Sequence, residues 1–196
     1  MIYSHAEGAS QGKKVETSVV DTSWVLKGAF PSGARTGKTV RKVSVDKDLE
    51  MRLKPYQKEG VEFIWRNCFL DSNFCLDGDE SLIGGCLLAH YMGLGKSLTT
   101  IALLHTALTS TSLVSNVTKK PLFHTVLLIA PANTLTNWEN EVEKWTGKLE
   151  TPLRIMNLGK VTDAHYRKAE IQKWKRDGGL LDSRNSRSFI QCEGSF

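Results

Sequence analysis

The stretch that decides the fold of this chain is nine residues long and reads Ala89-His90-Tyr91-Met92-Gly93-Leu94-Gly95-Lys96-Ser97. One apolar run, residues 82–88, precedes it and another, residues 98–108, follows it. The first run predicts a buried strand and the second a buried helix, with the glycine-rich stretch as the loop between them. Glycines at 93 and 95 let the backbone curl so that its N–H groups point at phosphate oxygens, and the helix N-terminus adds positive potential. The pattern predicts a phosphate-binding loop.

This loop departs from the strict phosphate-loop pattern at one position, because His90 stands where the first glycine belongs. The flanking strand and helix patterns supply the context that the motif requires. A similar string, residues 32–39, ends Gly-Lys-Thr where the loop ends Gly-Lys-Ser, but it runs into a charged segment that cannot form a buried helix. We therefore predict a phosphate site at the first stretch, with Lys96 on the β- and γ-phosphates and Ser97 on Mg²⁺.

The composition is that of an ordinary globular chain, with 196 residues of which 40% are hydrophobic and 24% charged. That length suits one domain plus tails. The apolar runs are far shorter than the ~18 residues of a membrane span, so no membrane partner is expected. The four cysteines show no C-x-x-C pairing, which favours free thiols over a disulfide framework or a zinc site.

Charge is unevenly distributed along the chain. Residues 1–58 carry 11 basic and 6 acidic groups, residues 59–147 carry 5 and 9, and residues 148–196 carry 10 and 6. Basic flanks are typical of proteins that bind polyanions, and equally of solvated, flexible tails. Charge alone leaves both interpretations open.

The pattern divides the chain into three parts. Residues 1–48 have no sustained period and predict a mostly disordered leader with one apolar patch at Trp24, Val25, Leu26 and Phe30. Residues 49–181 alternate strand and helix patterns and predict an α/β domain with a parallel sheet. Residues 182–196 are polar and patternless, and predict a non-native or disordered tail.

The predicted elements of the middle part are more specific. In chain order they are an amphipathic helix from Pro55, a polar loop over 67–81, the strand, loop and helix described above, a strand at 124–130 buried on both faces, a helix with a capping box at Thr136 and Glu139, a strand at 153–156, and a helix from Asp163 to about Arg176 that ends at two glycines.

Three segments in this order resemble the Swi/Snf-type ATPases of helicase superfamily two. They are residues 53–63, which read Leu-Lys-Pro-Tyr-Gln-Lys-Glu-Gly-Val-Glu-Phe, then Met92-Gly93-Leu94-Gly95-Lys96-Ser97, and residues 128–141, from Leu-Ile-Ala-Pro to Asn-Trp-Glu-Asn-Glu. Leu88-Ala89-His90 before the glycines resembles the ATRX-like branch. The resemblance covers about residues 50–181, and implies a RecA-like P-loop NTPase fold and an incomplete first helicase lobe.

The resemblance implies ligands for the matching positions. Gln57 would contact the adenine edge of ATP, and Mg²⁺ would lie at Ser97. The phosphates would be bound by the motif residues Met92, Gly93, Leu94, Gly95, Lys96 and Ser97. Pro131, Asn133 and Thr134 would contact the backbone of double-stranded DNA, independently of sequence and sensitive to salt. The family consists of ATP-driven translocases and chromatin remodellers, which implies a nuclear location, nucleosomal DNA as partner and a monomeric chain.

Hydrolysis in this family needs further groups, namely an Asp-Glu pair after another buried strand and an arginine from a second lobe. Asp79-Glu80 lies upstream of the loop with no strand before it, so it does not qualify. We expect ATP binding without hydrolysis by this chain alone, and interpret residues 182–196 as the product of a retained intron, frameshift or mis-predicted exon. Two alternatives stay open: a non-catalytic product that competes for DNA or partners, and another P-loop enzyme such as a nucleotide kinase.

Overall fold

The computed structural model describes residues 24–26, 42–70, 85–114 and 120–183. Its elements in chain order are α1 (Lys47–Arg52), α2 (Pro55–Trp65), a π-helical turn (Arg66–Leu70), α3 (Lys96–Thr109), β1 (Thr125–Ile129), a 3₁₀ turn (Ala132–Thr134), α4 (Leu135–Thr146), β2 (Ile155–Asn157), a second 3₁₀ turn (Leu158–Lys160), α5 (Ala164–Asp177) and β3 (Gly179–Ser183). None of the helices within these ranges has the length and apolar character that crossing a membrane would require.

Three parallel strands form the sheet in the order β1-β3-β2. α3 and α4 cover one face, where Ile101 and Val142 pack with Leu180. α5 covers the other face, where Ile171 packs with Leu181. Helices on both faces of a parallel sheet confirm the predicted α/β class.

β1 differs from the predicted strand, which was to be buried on both faces. Leu127 is 37% exposed and Ile129 is 55% exposed. Leu127 lies opposite Leu181 in the register, so both side chains point to the face that α5 covers. α5 packs on β3 and on Met156 of β2, and β1 lies beyond this cover at the edge of the described sheet. An apolar run shows only that a segment is hydrophobic. Whether both of its faces are buried depends on where helices from other parts of the sequence pack on the sheet.

The strand predicted before the glycine-rich loop is not formed in its described part. Residues 85–91 have no regular secondary structure, and Leu87 is 81% exposed. Residues 82–84 lie outside the described residues. A buried parallel strand needs neighbouring strands to satisfy its backbone groups, and the three described strands pair only with one another. The prediction was wrong here because no described strand pairs with this segment.

Order begins earlier in the chain than the sequence predicts. Val25 forms an antiparallel bridge with Ser44, and the neighbouring Leu26 is only 3% exposed. The indole Nε1 of Trp24 donates to Glu62 Oε1 on α2 at 3.1 Å. Much of the apolar patch therefore packs on the folded part, and α1 begins at Lys47, two residues before the predicted start of the domain. The rest of the predicted leader, residues 1–23 and 27–41, lies outside the described residues.

Helix and strand ends follow the sequence where a local signal sets them. α5 begins after Asp163, whose Oδ1 accepts from the backbone N–H of His165 at 2.7 Å, and it ends before Gly178, as predicted. α4 begins at Leu135 instead of after Thr136, because a 3₁₀ turn already winds the chain there. β3 continues through residue 183, two residues into the predicted tail. Residues 184–196 and most of the predicted polar loop, 71–81, lie outside the described residues.

Candidate nucleotide-binding site

The glycine-rich loop runs directly into the N-terminus of α3. Gly93 has φ 83° and Gly95 has φ 71°, which are backbone conformations that other residues rarely adopt. Gly95 is the N-cap of α3, and among the residues that the structure describes no side chain caps this helix. The N–H groups of its first turn therefore have no acceptor within the helix, and the helix dipole places positive potential on them. This helix N-terminus is suited to an anion such as a phosphate.

Lys96 opens α3, and its ammonium group turns back over the loop. Nζ donates to the carbonyl oxygen of His90 at 2.8 Å and to that of Tyr91 at 3.0 Å. The two acceptors are neutral, and a phosphate oxygen would be a stronger acceptor for a cation. Ser97 follows on the same turn and is half-buried. The structure thus brings Gly93, Gly95, Lys96 and Ser97 into one loop–helix junction.

Gln57 on α2 lies against this loop and bonds to it. Its Nε2 donates to the carbonyl oxygens of Leu94 at 3.1 Å and Gly95 at 3.4 Å, and its Oε1 accepts from the backbone N–H of Lys54 at 2.9 Å. The side chain is buried, with 5% of the residue exposed. Gln57 therefore couples α2 to the glycine-rich loop, while its contact with adenine stays a prediction.

His90 contributes to the loop through its backbone and its ring, although the sequence indicates only that it replaces the first glycine of the motif. Its carbonyl accepts from Lys96, and its ring meets the Tyr56 ring edge-on with centroids 6.5 Å apart. Nδ1 of His90 is buried and has no hydrogen-bond partner among the described residues. A backbone carbonyl carries no sequence signature, so the bond to Lys96 could not have been predicted.

The residues predicted to contact DNA lie together at the 3₁₀ turn after β1, with Pro131 as the N-cap of the turn. Pro131 and Asn133 are exposed, and Thr134 is half-buried. Thr134 Oγ1 donates to the carbonyl oxygen of Pro131 at 2.8 Å, which holds the turn. The turn follows the carboxyl end of a parallel strand, where open α/β sheets place their ligand sites. Asn133 is the residue that presents an exposed polar side chain there.

Glu139 anchors α4, the helix that follows this turn, to the last residue of β2 and to the 3₁₀ turn after it. It accepts from Asn157 Nδ2 at 3.2 Å and from Lys160 Nζ at 2.8 Å. Partial burial raises the pKa of Glu139, but the bonds from Lys160 and Asn157 outweigh it, so the pKa lies below its ordinary value of 4.5. A lowered folded-state pKa gives stability that is present above the unfolded-state pKa and lost as the pH falls through the folded-state pKa.

We expect Glu139→Gln to lower the free energy of unfolding at pH 7 by about 0.5 kcal/mol, the size of a partly exposed ion pair. The variant should also lose less stability than the parent between about pH 6 and pH 3, because its side chain does not titrate. Urea denaturation across this pH range measures both effects. Glu143→Gln, at an exposed position of the same helix, is the control. Equal acid dependence in parent and Glu139 variant would contradict the assignment.

Comparison with known proteins assigns the family. The model of the SNF2-related domain matches residues 56–179, which span most of α2, the loop, the sheet up to the first residue of β3 and the turn after β1. The chain belongs to the SNF2-related domain family. The predicted Swi/Snf-type ATPase resemblance is therefore confirmed, and with it the interpretation as an N-terminal portion of the helicase-like domain.

Three curated relatives show how much of a longer protein the match covers. Transcriptional regulator ATRX of Homo sapiens is 37% identical over 141 residues, which are 71% of this chain and 5% of that protein. Protein CHROMATIN REMODELING 20 of Arabidopsis thaliana is 37% identical over 139 residues, 71% of this chain and 9% of that protein. DNA repair and recombination protein RAD54-like of Gallus gallus is 37% identical over 113 residues, 58% of this chain and 14% of that protein. The chain spans a small part of each.

Proposed function

We propose that this chain binds ATP with Mg²⁺ at residues 92–97 and double-stranded DNA at the turn after β1. It would act as the nucleotide-binding part of a DNA-translocating, chromatin-remodelling ATPase in the nucleus. Membership of the SNF2-related family supports the class of protein. The observation that carries nucleotide binding is the uncapped N-terminus of α3 with the Lys96 ammonium group above the loop.

The residues of the loop fit a nucleoside triphosphate with magnesium. Lys96 and the first-turn N–H groups are donors for phosphate oxygens, and Ser97 supplies a hydroxyl of the kind that Mg²⁺ takes beside phosphates. The outer side of the loop is open in the described part of the chain, since a Cβ on Gly93 would meet nothing there within 4 Å and Met92 is 95% exposed. When bound, Mg²⁺ neutralises phosphate charge, while Lys96 and the backbone hold the phosphates in place.

We propose Gln57 as the adenine contact, as the family resemblance implies. Its amide can donate and accept at once, which suits the adenine edge. In the structure the same amide donates to the loop carbonyls of Leu94 and Gly95. One side chain would therefore both contact the base and hold the loop in position. The names of two relatives, which refer to chromatin remodelling and to DNA repair, support the proposed DNA partner. Membership of the SNF2-related family removes the support for the alternative of a nucleotide kinase.

Binding to DNA should depend on Asn133. We expect Asn133→Ala to weaken binding to a short duplex at least about tenfold, because one hydrogen bond to a charged phosphate is worth about 1.5–3 kcal/mol. ATP affinity should not change, since Asn133 lies on a different element from the loop. Fluorescence anisotropy with two unrelated duplex sequences at two salt concentrations measures the effect, and affinity should fall with salt for both.

The control for this experiment is Asn140→Ala, an exposed amide on α4 beyond the turn. It should bind DNA as the parent does. Equal losses in the two variants, or a strong preference of the parent for one duplex sequence, would contradict a backbone contact at Asn133.

A further inference from the structure

Cys68 and Cys86 lie side by side although they are 18 positions apart in the chain. Their Sγ atoms are 3.5 Å apart. Cys68 is half-buried in the π-helical turn that ends α2, and Cys86 is exposed in the segment that leads into the phosphate loop. In the described ranges no group of three or more Cys, His, Asp or Glu side chains is placed to hold a metal ion. A structural zinc site needs four ligands, so thiol chemistry is the better explanation of this pair.

We propose that Cys68 and Cys86 form a reversible oxidation site whose disulfide pins the approach to the phosphate loop against the end of α2. A disulfide has an S–S bond of about 2.05 Å, so the sulfur atoms must approach by about 1.5 Å. Residues 85–91 have no regular structure, so a shift there breaks no helix or strand. Cys68 is held more firmly, because the adjacent Phe69 stacks on Trp65 with ring centroids 5.0 Å apart.

The oxidant would be a low-molecular-weight disulfide such as oxidised glutathione. The exposed Cys86 thiolate attacks one sulfur of this reagent, which releases one thiol and leaves a mixed disulfide on Cys86. The Cys68 sulfur then attacks the Cys86 sulfur and releases the second thiol. The two cysteines lose two electrons and two protons, which the reagent gains as it becomes two thiols. Desolvation raises the pKa of Cys68 to about 11, which makes Cys68 the second sulfur to react.

The consequence for the loop rests on the proposed function. Cys86 precedes His90, whose carbonyl holds Lys96, by four positions. Gln57 already bonds the other end of the loop to α2. A disulfide would therefore tether both ends of the loop to one helix and its terminal turn. To bind phosphate, Lys96 must give up its bonds to the carbonyl oxygens of His90 and Tyr91, and the loop must adjust around the nucleotide. The disulfide would restrain the segment that carries these carbonyls. We therefore expect the oxidised chain to bind Mg²⁺-ATP about three- to tenfold more weakly than the reduced chain.

The test equilibrates the full 196-residue chain in glutathione buffers of graded ratio and maps the bonds by mass spectrometry. Cleavage before aspartate separates the three relevant cysteines, since Asp71 lies between Cys68 and Cys75, and Asp77 between Cys75 and Cys86. We expect a fragment pair joined through Cys68 and Cys86 that dithiothreitol releases. It should persist in a Cys75→Ser, Cys192→Ser double variant and be absent from Cys86→Ser.

Bonds that run through Cys75, or dimers between chains in place of the internal bond, would overturn the site. ATP affinity is then compared between oxidised and reduced protein. Equal affinities with the bond formed would overturn its control of the loop, whereas a reduced chain that fails to bind Mg²⁺-ATP would instead refute the proposed function. The bond mapping decides the site in either case, because it does not involve nucleotide.

Discussion

Lys96→Ala should lower the affinity of this chain for Mg²⁺-ATP at least a hundredfold. The substitution removes the charged donor at the loop, and hydrogen bonds from a cation to phosphate are among the strongest a protein makes, at about 1.5–3 kcal/mol each. The variant should still fold, because the substitution removes two bonds from Lys96 Nζ to backbone carbonyls of the loop, worth about 1 kcal/mol each, and leaves the buried residues of α3 in place. Isothermal titration calorimetry measures the affinity, and thermal unfolding without nucleotide shows whether the variant is folded.

The chain contains its own matched control for this experiment. Lys38 stands in the similar string at residues 32–39, which ends Gly-Lys-Thr and is not followed by the pattern of a buried helix. Lys38→Ala should bind Mg²⁺-ATP as the parent does. If Lys38→Ala lost binding, or if Lys96→Ala stayed within threefold of the parent, the nucleotide would not lie at the start of α3.

Gly95→Ala should both destabilise the chain and remove nucleotide binding. Gly95 has φ 71°, and a Cβ there would collide with Nε2 of Gln57. Left-handed backbone at alanine costs about 1 kcal/mol, and displacing the Gln57 amide removes two bonds to the loop worth about 1 kcal/mol each. We therefore expect the free energy of unfolding to fall by about 3 kcal/mol, measured by urea denaturation.

Other glycines of the same segment separate the causes of this loss. Gly93 has φ 83° but open space around it, so Gly93→Ala should lose only the backbone part, about 1 kcal/mol. Gly85→Ala should be near neutral, since a Cβ there meets no described residue within 4 Å. In a Gln57→Ala background the further loss on Gly95→Ala should shrink to that of Gly93→Ala. Equal losses at 93 and 95 in the parent would contradict the contact with Gln57.

The sequence predicts best those features whose cause is local. The ends of α5 follow from the Asp163 cap and from Gly178, which has φ 79°, and both signals lie within a few residues of the helix. The α/β class and the junction between the loop and α3 likewise follow from local patterns, namely apolar runs and helical spacing within single segments. These features were confirmed by the structure.

Features that depend on distant partners could not be predicted in the same way. The run before the loop has the apolar content of a buried strand, but a strand also needs paired neighbours, and residues 85–91 have none in the described sheet. β1 is apolar from Val126 to Ile129, yet Ile129 is exposed because α5 packs on β3 and β2 and does not extend over β1. The motif located Gln57, but its bond to Leu94, 37 positions away, required the folded chain.

The most direct test of the nucleotide site is a titration of the ¹⁵N-labelled chain with Mg²⁺-ATP, followed residue by residue through the backbone amide signals. An anion at the uncapped start of α3 must perturb the N–H groups that point at it. We predict saturable shifts that are largest at residues 93–98 and absent from the same titration of Lys96→Ala. Shifts centred on residues 32–39, or no saturable shift at the start of α3, would contradict a nucleotide site at this loop.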